Sequence, residues 1–307
     1  MFRTVFITAG GKLTVNNGWL LVQKGDDTNK IPIDDIQTLV VDDPRTVISV
    51  NVLVTLADHE VNVVLCNNKH LPCCNIFPQN TYYSPYGALK RQLDMSENFK
   101  GRLWQAIVKS KILNQSYILR RIGTSEKVCT RLQALANEVV EHDKGNREAI
   151  AAKMFFRNMY GVDFLRFDDD IVNKALNYGY AIIRSVVARS LCAHGYICSW
   201  GIHHINEGNA FNLADDFMEP LRPTVDYWVW EHNEELIDEL TTANKSGLVS
   251  LTNSFVLQDG KNLKLFNAVE KYISSFTGVI NDNDISKFSI PSLMKYGQQI
   301  YENNSNV

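Results

Sequence analysis

The sequence predicts an α+β protein, with a small β-rich N-terminal domain followed by a larger, all-helical domain. Up to about residue 80, short runs of β-branched and aromatic residues are separated by turns rich in glycine and asparagine. From about Ala88 onward, apolar residues recur at helical spacing and strand signals largely vanish. With 307 residues, 45% of them hydrophobic, the chain can bury cores for two domains. We therefore predict a β-rich domain at 1–80, a linker at 81–90 and a helical domain at 91–307.

The first domain is predicted from its strands and turns. Gly, Asn and Asp at 10–11, 16–18 and 25–27 have the chemistry of hairpin turns. One helix is predicted between Ser49 and Glu60. Prolines among polar residues and tyrosines then mark the linker. The predicted strands are 3–8, 12–15, 19–23, 38–41 and 61–66.

The second domain is predicted from periodic segments, of which 103–117 and the more apolar 171–188 are the clearest. No stretch approaches 18 uncharged apolar residues, so no membrane span is predicted. The N-terminus lacks a signal-peptide pattern, and none of the six cysteines forms a Cys-x-x-Cys pair. We therefore expect a cytoplasmic protein with reduced, mostly buried thiols.

The stretch 201–226 has the composition of a metal site. It contains two histidines, five acidic residues and Arg222. Imidazole and carboxylate together suit a divalent metal, and a guanidinium can bind a phosphate. Asp216 and Glu219 are three residues apart, which places both carboxylates on one face of a helix. A helix with a solvated acidic face explains the same pattern, and the stretch alone does not decide between the two.

Charge is segregated within the helical domain. Residues 90–131 carry a net charge of +7, and residues 213–240 carry −8. A basic surface beside an acidic pocket suits an enzyme that acts on a nucleic-acid backbone, because cations bind phosphates and carboxylates hold a metal. An ordinary solvated helix face is the competing interpretation. The candidate DNA contacts in the basic run are Lys109, Lys111, Arg120 and Arg121.

A third candidate element begins at Asn146, which is predicted to cap a helix. Glu148 lies in the first turn, where a carboxylate also stabilises a helix through its dipole without any catalytic role. The alanines that follow let another helix approach closely, so we expect Glu148 to lie in crowded surroundings. Spacing alone does not connect Glu148 with His204.

Three ordered blocks of sequence carry a family resemblance. The first begins at Glu148 and reads Glu-Ala-Ile-Ala-Ala-Lys-Met-Phe. The second, at 170–180, reads Asp-Ile-Val-Asn-Lys-Ala-Leu-Asn-Tyr-Gly-Tyr. The third combines Gly201-x-x-His204 with Leu-x-x-Asp-x-Met-Glu-Pro-Leu-Arg-Pro at 213–223. Together, in this order and over essentially the whole chain, they resemble the CRISPR-associated adaptation integrases, the Cas1 family, in the form that accompanies Cas9 systems.

The resemblance implies a catalytic metal site. Carried over by position, the metal-binding and catalytic residues are Glu148, His204 and Glu219, and the implied cation is Mg²⁺ or Mn²⁺. Asp216 matches a further acidic position, which we expect to support the site or to act as an auxiliary ligand. One departure from the family pattern is Ala149 in place of glycine, and we do not expect its methyl group alone to abolish metal binding.

The remaining candidates from the resemblance are auxiliary. His203 precedes the ligand histidine and has no role that the resemblance assigns. Arg222 either contacts DNA or pairs with the acidic helix. The second block is expected to support the site from a buried helix, through Asn173, Tyr178 and Tyr180.

The resemblance also implies an activity and partners. A 3′-hydroxyl of a short foreign DNA fragment would displace a strand at the edge of a CRISPR repeat, which is a metal-dependent transesterification; with water, the same site would be an endonuclease. The implied partners are the double-stranded fragment, the repeat DNA, a second copy of the chain joined through the β-rich domains, and a central Cas2 dimer in a heterohexamer. Other type II adaptation proteins complete this set of expected partners.

Two other functions use the same residues. A stand-alone metal-dependent DNA nuclease would give nicks without joined products. A non-catalytic DNA-binding scaffold would keep its activity in a complex when His204 is replaced. A zinc hydrolase is disfavoured, because the His-Glu-x-x-His motif is absent.

Overall fold

The computed structural model describes residues 3–76 and 84–293, in which most strands come first and most helices follow. This order confirms the predicted α+β class. The strands are β1 (Arg3–Ile7), β2 (Lys12–Asn16), β3 (Trp19–Lys24), β4 (Asp27–Pro32), β5 (Ile36–Val41), β6 (Val47–Ile48), β7 (Asn62–Cys66), β8 (Pro72–Ile76), β9 (Phe255–Gln258) and β10 (Lys261–Lys264). The helices are α1 (Val50–Asp58), α2 (Pro85–Leu93), α3 (Glu97–Arg121), α4 (Glu126–Glu138), α5 (Arg147–Tyr160), α6 (Ile171–Ala193), α7 (Asn212–Met218), α8 (Arg222–Glu231), α9 (Thr242–Ser250) and α10 (Leu265–Asp282).

The N-terminal strands form two four-stranded sheets. One has the order β1-β5-β7-β8, with only its β7–β8 pair antiparallel, and the other has the order β4-β3-β2-β6. The predicted turns at 16–18 and 25–27 do connect antiparallel neighbours, β2 with β3 and β3 with β4. The prediction of a hairpin turn at 10–11 is wrong, because β1 and β2 do not pair with each other. Strand β1 pairs in parallel with β5, in a different sheet from β2.

Strand β5 lies between two hydrophobic cores. Leu39 and Val41 pack into the core of the β-rich domain, whereas Val40, on the opposite face, joins the core of the helical domain. All six residues of β5 are buried, and its second half, 39–41, is the apolar run typical of a strand covered on both faces. The sheet therefore positions the helical domain directly, through its contact with α6.

Two details differ from the predicted domain plan. The C-terminal domain is not all-helical, because β9 and β10 form an antiparallel hairpin. Most of the predicted linker is α2, which begins after the Ser84 cap, and residues 81–83 lie outside the described part of the chain. The domain boundaries themselves stay a prediction.

Several smaller predictions can also be compared. The predicted helix at 49–60 is confirmed as α1, capped by the Ser49 hydroxyl. Of the cysteines expected to be mostly buried, Cys66, Cys129 and Cys198 are buried and Cys192 is partly buried. Cys73 and Cys74 are exposed, on strand β8 at one edge of its sheet. In the described ranges, no helix combines the length and apolar character that crossing a membrane requires.

Helices α3 and α6 are the long buried helices of the second domain. Gly179 of α6 lies so close to Val225 of α8 that a side chain at 179 would collide with it. This close approach explains the glycine between two tyrosines in the second sequence block. It also brings the end of α7 and the start of α8 against α6 and α3, where the candidate site lies.

Candidate metal centre

Lys111 joins two of the predicted metal ligands. Its Nζ atom lies 2.5 Å from Oε1 of Glu148 and 2.5 Å from Oε2 of Glu219. The lysine comes from the middle of α3, Glu148 from the first turn of α5, and Glu219 from the 3₁₀ turn Glu219–Leu221 that connects α7 with α8. Lys111 and Glu219 are buried, whereas the Glu148 side chain keeps 26% of its surface exposed. Two carboxylates distant in sequence therefore share one cationic group.

His204 is fixed by Asp216. Nδ1 of the ring lies 2.7 Å from Oδ1 of Asp216, and the same oxygen accepts the backbone N–H of His204 at 3.1 Å. The other oxygen accepts the N–H groups of Ile202 at 2.6 Å and His203 at 3.1 Å. Asp216 is completely buried. The carboxylate of Asp216 thus holds the loop through its hydrogen bonds. Because Nδ1 of His204 faces this carboxylate, Nε2 is the ring nitrogen that could bind a metal.

The loop before His204 depends on a glycine and a tryptophan. A side chain at Gly201 would collide with the backbone oxygen of His204 and would come within 2.9 Å of Oδ2 of Asp216. The ring of His203 stacks on buried Trp104 of α3, with centroids 4.1 Å apart and planes 3° from parallel. His203 therefore packs against α3, while His204 turns toward Asp216.

The charges of the site shift several pKa values. Burial alone would raise the pKa of Glu219, but the charges of Arg222 and Lys111 outweigh it and lower that pKa to about 2. Burial likewise opposes protonation of Lys111, yet the charges of Glu219 and Glu148 raise its pKa. The hydrogen bond to Asp216 raises the pKa of His204 against the opposing effect of burial. The carboxylate of Glu219 is therefore ionised at neutral pH.

The start of α5 differs in one detail from the prediction. Asn146 makes no side-chain cap and has a left-handed backbone conformation, with φ of 49°. Asp143 caps the helix instead, accepting the N–H groups of Arg147 and Glu148, each at 2.9 Å. Ala149, the departure from the family pattern, is exposed. The cap orients the first turn and with it the side chain of Glu148.

Arg222 pairs with the acidic segment, as one of its two predicted roles requires. Its Nε donates to Oε1 of Glu219 at 2.7 Å, and its guanidinium lies over the ring of Tyr180, 4.6 Å from the centroid. The hydroxyl of Tyr180 donates in turn to buried Asp226. Tyr180 thus supports Arg222, whereas burial, together with the neighbouring Cys66 and Asp42 of the β-rich domain, raises the pKa of Tyr178.

The predicted DNA contacts do not share one environment. Lys109 is exposed, Arg120 donates to Glu126 at 2.9 Å, and Arg121 lies over the ring of Tyr227. Lys111 is buried between the two carboxylates and is therefore no surface contact for a phosphate. For the other three residues, DNA binding stays a prediction.

The donor set fits a divalent cation in its chemistry. Residues 3–76 and 84–293 contain no group of three His, Cys, Asp or Glu side chains already arranged to hold a metal. The ammonium of Lys111 nevertheless lies between Glu148 and Glu219, at a position that a divalent cation could occupy only by replacing it. Carboxylate oxygens and one imidazole nitrogen are ligands that Mg²⁺ and Mn²⁺ accept.

Sequence reasoning missed three residues that build this site. The basic run predicts Lys111 as a DNA contact and not as a partner of two carboxylates, because Glu148 and Glu219 lie far away along the chain. Asp143 was overlooked, although Lys144-Gly145-Asn146 after it is a turn signal. Trp104 follows the helical period of α3 and carried no separate signal for a contact with His203.

Known proteins resemble the whole chain. The family model described as CRISPR associated protein Cas1 matches residues 5–160 and 165–277. The chain is 36% identical over 303 residues to a CRISPR-associated endonuclease Cas1 of Neisseria meningitidis serogroup C (strain 8013), covering 98% of this chain and 99% of the relative.

Solved structures share the fold. A casposase bound to integration product superposes with a TM-score of 0.73 at 13% identity, covering 92% of this chain and 91% of that one. A chain of a Cas6-RT-Cas1–Cas2 complex superposes with a TM-score of 0.71 at 18% identity, covering 94% of this chain. The present chain spans only 36% of that longer chain.

Proposed function

The chain belongs to the Cas1 family of CRISPR-associated proteins, and on that premise we propose that it is a metal-dependent DNA integrase of CRISPR adaptation. The observation that carries the proposal is the convergence of Glu148 and Glu219 on the ammonium of Lys111. The imidazole of His204, which Asp216 holds, lies close enough for its charge to help lower the pKa of Glu219. The curated relative is named an endonuclease, and the casposase structure contains an integration product.

The proposed reaction is a transesterification. The 3′-oxygen of a DNA fragment forms a bond to a phosphorus atom at the edge of the CRISPR repeat, and the bond from that phosphorus to the 3′-oxygen of the leaving strand breaks. One phosphodiester replaces another, so no external energy source is needed. With water as the nucleophile, the same site hydrolyses the strand.

In this proposal, Glu148, His204 and Glu219 hold the cation, Mg²⁺ or Mn²⁺. The bound metal supplies Lewis-acid stabilisation of the charge that develops on the phosphodiester. Asp216 fixes the tautomer and orientation of His204, since Nδ1 faces its carboxylate. Arg222 keeps Glu219 ionised and in place.

The proposed assembly follows the relatives. One structural neighbour is a chain of a Cas6-RT-Cas1–Cas2 complex. We propose that this chain forms a homodimer through its β-rich domains and binds a Cas2 dimer, DNA fragments and repeat DNA. In such an assembly, two metal centres on different copies of the chain would be held at a fixed separation, and that separation would set the length of DNA inserted.

A strand-joining assay tests the function. The full chain and its Cas2 partner are incubated with a plasmid that contains the CRISPR repeat and a labelled duplex with either 3′-hydroxyl or 3′-dideoxy ends. We expect label in the plasmid only with the 3′-hydroxyl duplex and Mg²⁺ or Mn²⁺, and none in EDTA. His204→Ala should abolish joining, whereas His59→Ala, in the β-rich domain, serves as the matched control. Nicked plasmid without transferred label would instead identify a nuclease.

A further inference from the structure

Two cysteines lie side by side where helix α6 leads into the loop that carries His204. Cys192 belongs to the last turn of α6, and Cys198 lies six residues before His204. Gly195, with a φ of 81°, turns the chain between them, so that the Cys198 thiol returns to the helix and donates to the carbonyl of Ala188 at 3.7 Å. The turn thereby brings the two Sγ atoms to 3.8 Å from each other.

The two thiols differ in exposure and acidity. Cys198 is buried, whereas Cys192 is partly exposed. A hydrogen bond from the Cys198 thiol lowers the pKa of Cys192, against the opposing effect of burial. The same hydrogen bond, together with burial, raises the pKa of Cys198 well above its ordinary value. Cys192 is thus the thiol that ionises first and that a small oxidant reaches, with Cys198 in contact behind it.

Oxidation of this pair by a peroxide balances without a further reactant. The thiolate of Cys192 attacks one peroxide oxygen, the O–O bond breaks, and the released hydroxide takes up the proton that Cys192 has lost. Cys198 then attacks the sulfur atom of the resulting sulfenic acid and gives its proton to the departing hydroxide. Two thiols and one hydrogen peroxide give one disulfide and two waters; the sulfur atoms are oxidised and the peroxide is reduced.

The chain around Cys198 is anchored on both sides. Buried Gln92 of α2 donates to the carbonyl of Ile197 at 2.9 Å and to that of Trp200 at 2.8 Å. The carbonyl of Cys198 accepts the N–H of Leu213, in the first turn of α7, at 2.7 Å. These bonds connect Cys198 with the loop of the candidate metal centre and with α7.

A disulfide requires the two sulfur atoms to approach each other. Bonded sulfur atoms lie about 2.05 Å apart, so the observed 3.8 Å must shrink by about 1.7 Å. Cys192 is part of a long, largely buried helix, so the loop around Cys198 takes up most of the movement. The anchoring hydrogen bonds weaken steeply when their geometry is distorted, and the displacement therefore spreads toward His204.

We propose that Cys192 and Cys198 form a reversible, peroxide-sensitive disulfide that loosens the loop holding His204. Reduction by a thiol, which becomes a disulfide in turn, restores the original loop. In a reducing compartment such a bond is transient, which suits a switch and not a structural cross-link. The effect on catalysis rests on the proposed function, whereas the bond and the loop movement do not.

Peptide mapping tests whether the bond forms. The full chain is treated with hydrogen peroxide, its remaining thiols are blocked with N-ethylmaleimide, and chymotrypsin cleaves after Tyr196, between the two cysteines. In the single-chain band of a non-reducing gel, we expect the two peptides to be linked in most of the protein and to separate in dithiothreitol. The control Cys73→Ser/Cys74→Ser, which removes two exposed thiols, should form the same link. Unlinked peptides, with either blocked thiols or a sulfinic acid at Cys192, would overturn the proposal.

Hydrogen exchange tests the movement of the loop. The N–H groups of Ile202, His203 and His204 bind the carboxylate of Asp216, so they are protected in the reduced protein. We expect their exchange to become at least about 10-fold faster after peroxide treatment and to slow again in dithiothreitol. Cys192→Ser should show no change with the same treatment. Linked peptides with unchanged exchange at 202–204 would equally overturn the proposal, because the bond would not reach the loop.

The strand-joining assay separates this proposal from the proposed function. Peroxide should lower joining by the wild type at least about 10-fold, reversibly in dithiothreitol, and leave joining by Cys192→Ser unchanged. Equal losses in the two proteins would mean that the peroxide acts elsewhere in the chain, against the proposal. If neither protein joins strands in any state, the integrase function fails, while the linked peptides and the exchange rates still decide whether the disulfide switch exists.

Discussion

The buried carboxylate of Asp216 holds both the ring and the backbone of His204. One oxygen faces Nδ1 at 2.7 Å and the backbone N–H at 3.1 Å, and the second oxygen binds the two preceding N–H groups. An acceptor with no donor of its own is therefore required at this position. Asp216 and Glu219, which look equivalent in sequence, have different tasks: the first holds the loop, and the second faces a cation.

Asp216→Asn should therefore disrupt the site although it changes few atoms. Its amide places N–H donors against backbone N–H donors, and each buried donor left unpaired costs about 1–3 kcal/mol. We expect strand joining and Mn²⁺ affinity to fall about 10- to 100-fold, as for other residues that orient metal ligands. Product analysis and calorimetric Mn²⁺ titration measure the two effects. Glu207→Gln, on the exposed part of the same loop, should leave both unchanged; wild-type behaviour of Asp216→Asn would refute the role.

Lys111→Met should destabilise the metal-free protein and make its stability depend on a divalent cation. Without the ammonium, Glu148 and Glu219 face each other in a largely buried site, and breaking a buried ion pair typically costs about 3–5 kcal/mol. A divalent cation that replaces the ammonium should restore part of this loss, since ligands that bind only the native state stabilise it. Thermal unfolding in EDTA and in Mn²⁺ measures both effects.

Lys109→Met provides the control for that experiment, because Lys109 is exposed on the same helix. It should lower the melting temperature little and show the same Mn²⁺ response as the wild type. If Mn²⁺ stabilises Lys111→Met no more than it stabilises Lys109→Met, the two carboxylates do not share a site for a cation.

Local patterns predicted the elements better than they predicted the site. Alternation and turn residues located β2, β3 and β7, and helical periodicity located α6, because these signals depend on neighbouring residues. The hairpin β9–β10 also had a local signal, Asp259-Gly260, whose positive φ angles suit a two-residue turn. It was overlooked inside a helical region.

The site depends on contacts that no local pattern contains. The composition of the stretch 201–226 already grouped His204 with Glu219, but only the family resemblance connected Glu148 with them. The role of Lys111 is decided by burial between two acidic residues on other elements, which a basic run along α3 does not reveal.

Gly201→Ala should impair the site through its backbone. A methyl group at 201 would collide with the carbonyl of His204 and crowd Oδ2 of Asp216, so the loop must move away from its anchor. We expect strand joining to fall at least about 10-fold, because small displacements of catalytic groups have large effects on rate. Gly208→Ala in the same loop is the control, since a methyl group there meets only the side chain of Asn206, at 3.5 Å. Equal activity of the two variants would show that the close approach at 201 is dispensable.

Asp226 should make the stability of the protein depend on pH. Burial raises the pKa of its carboxyl to about 7, against the lowering effect of the hydrogen bond from Tyr180. The native state therefore keeps a proton that the unfolded chain releases near its ordinary pKa of about 4, so stability falls as pH rises from about 4 to about 7. An asparagine at 226 does not titrate, so Asp226→Asn removes this pH-dependent loss of stability. Relative to wild type, its free energy of unfolding should rise across that window by up to about 4 kcal/mol and level off above it.

Urea unfolding at a series of pH values measures that difference between Asp226→Asn and wild type. The change with pH is the diagnostic quantity, because any cost of altering the hydrogen bond from Tyr180 shifts the whole curve by a constant. Asp238→Asn, at an exposed position, should show no such rise. A difference that stays flat from pH 4 to pH 8 (about one unit beyond the window on the alkaline side) would mean that Asp226 is ionised in the native protein throughout, and that the charges of Arg222 and Arg166 outweigh its burial.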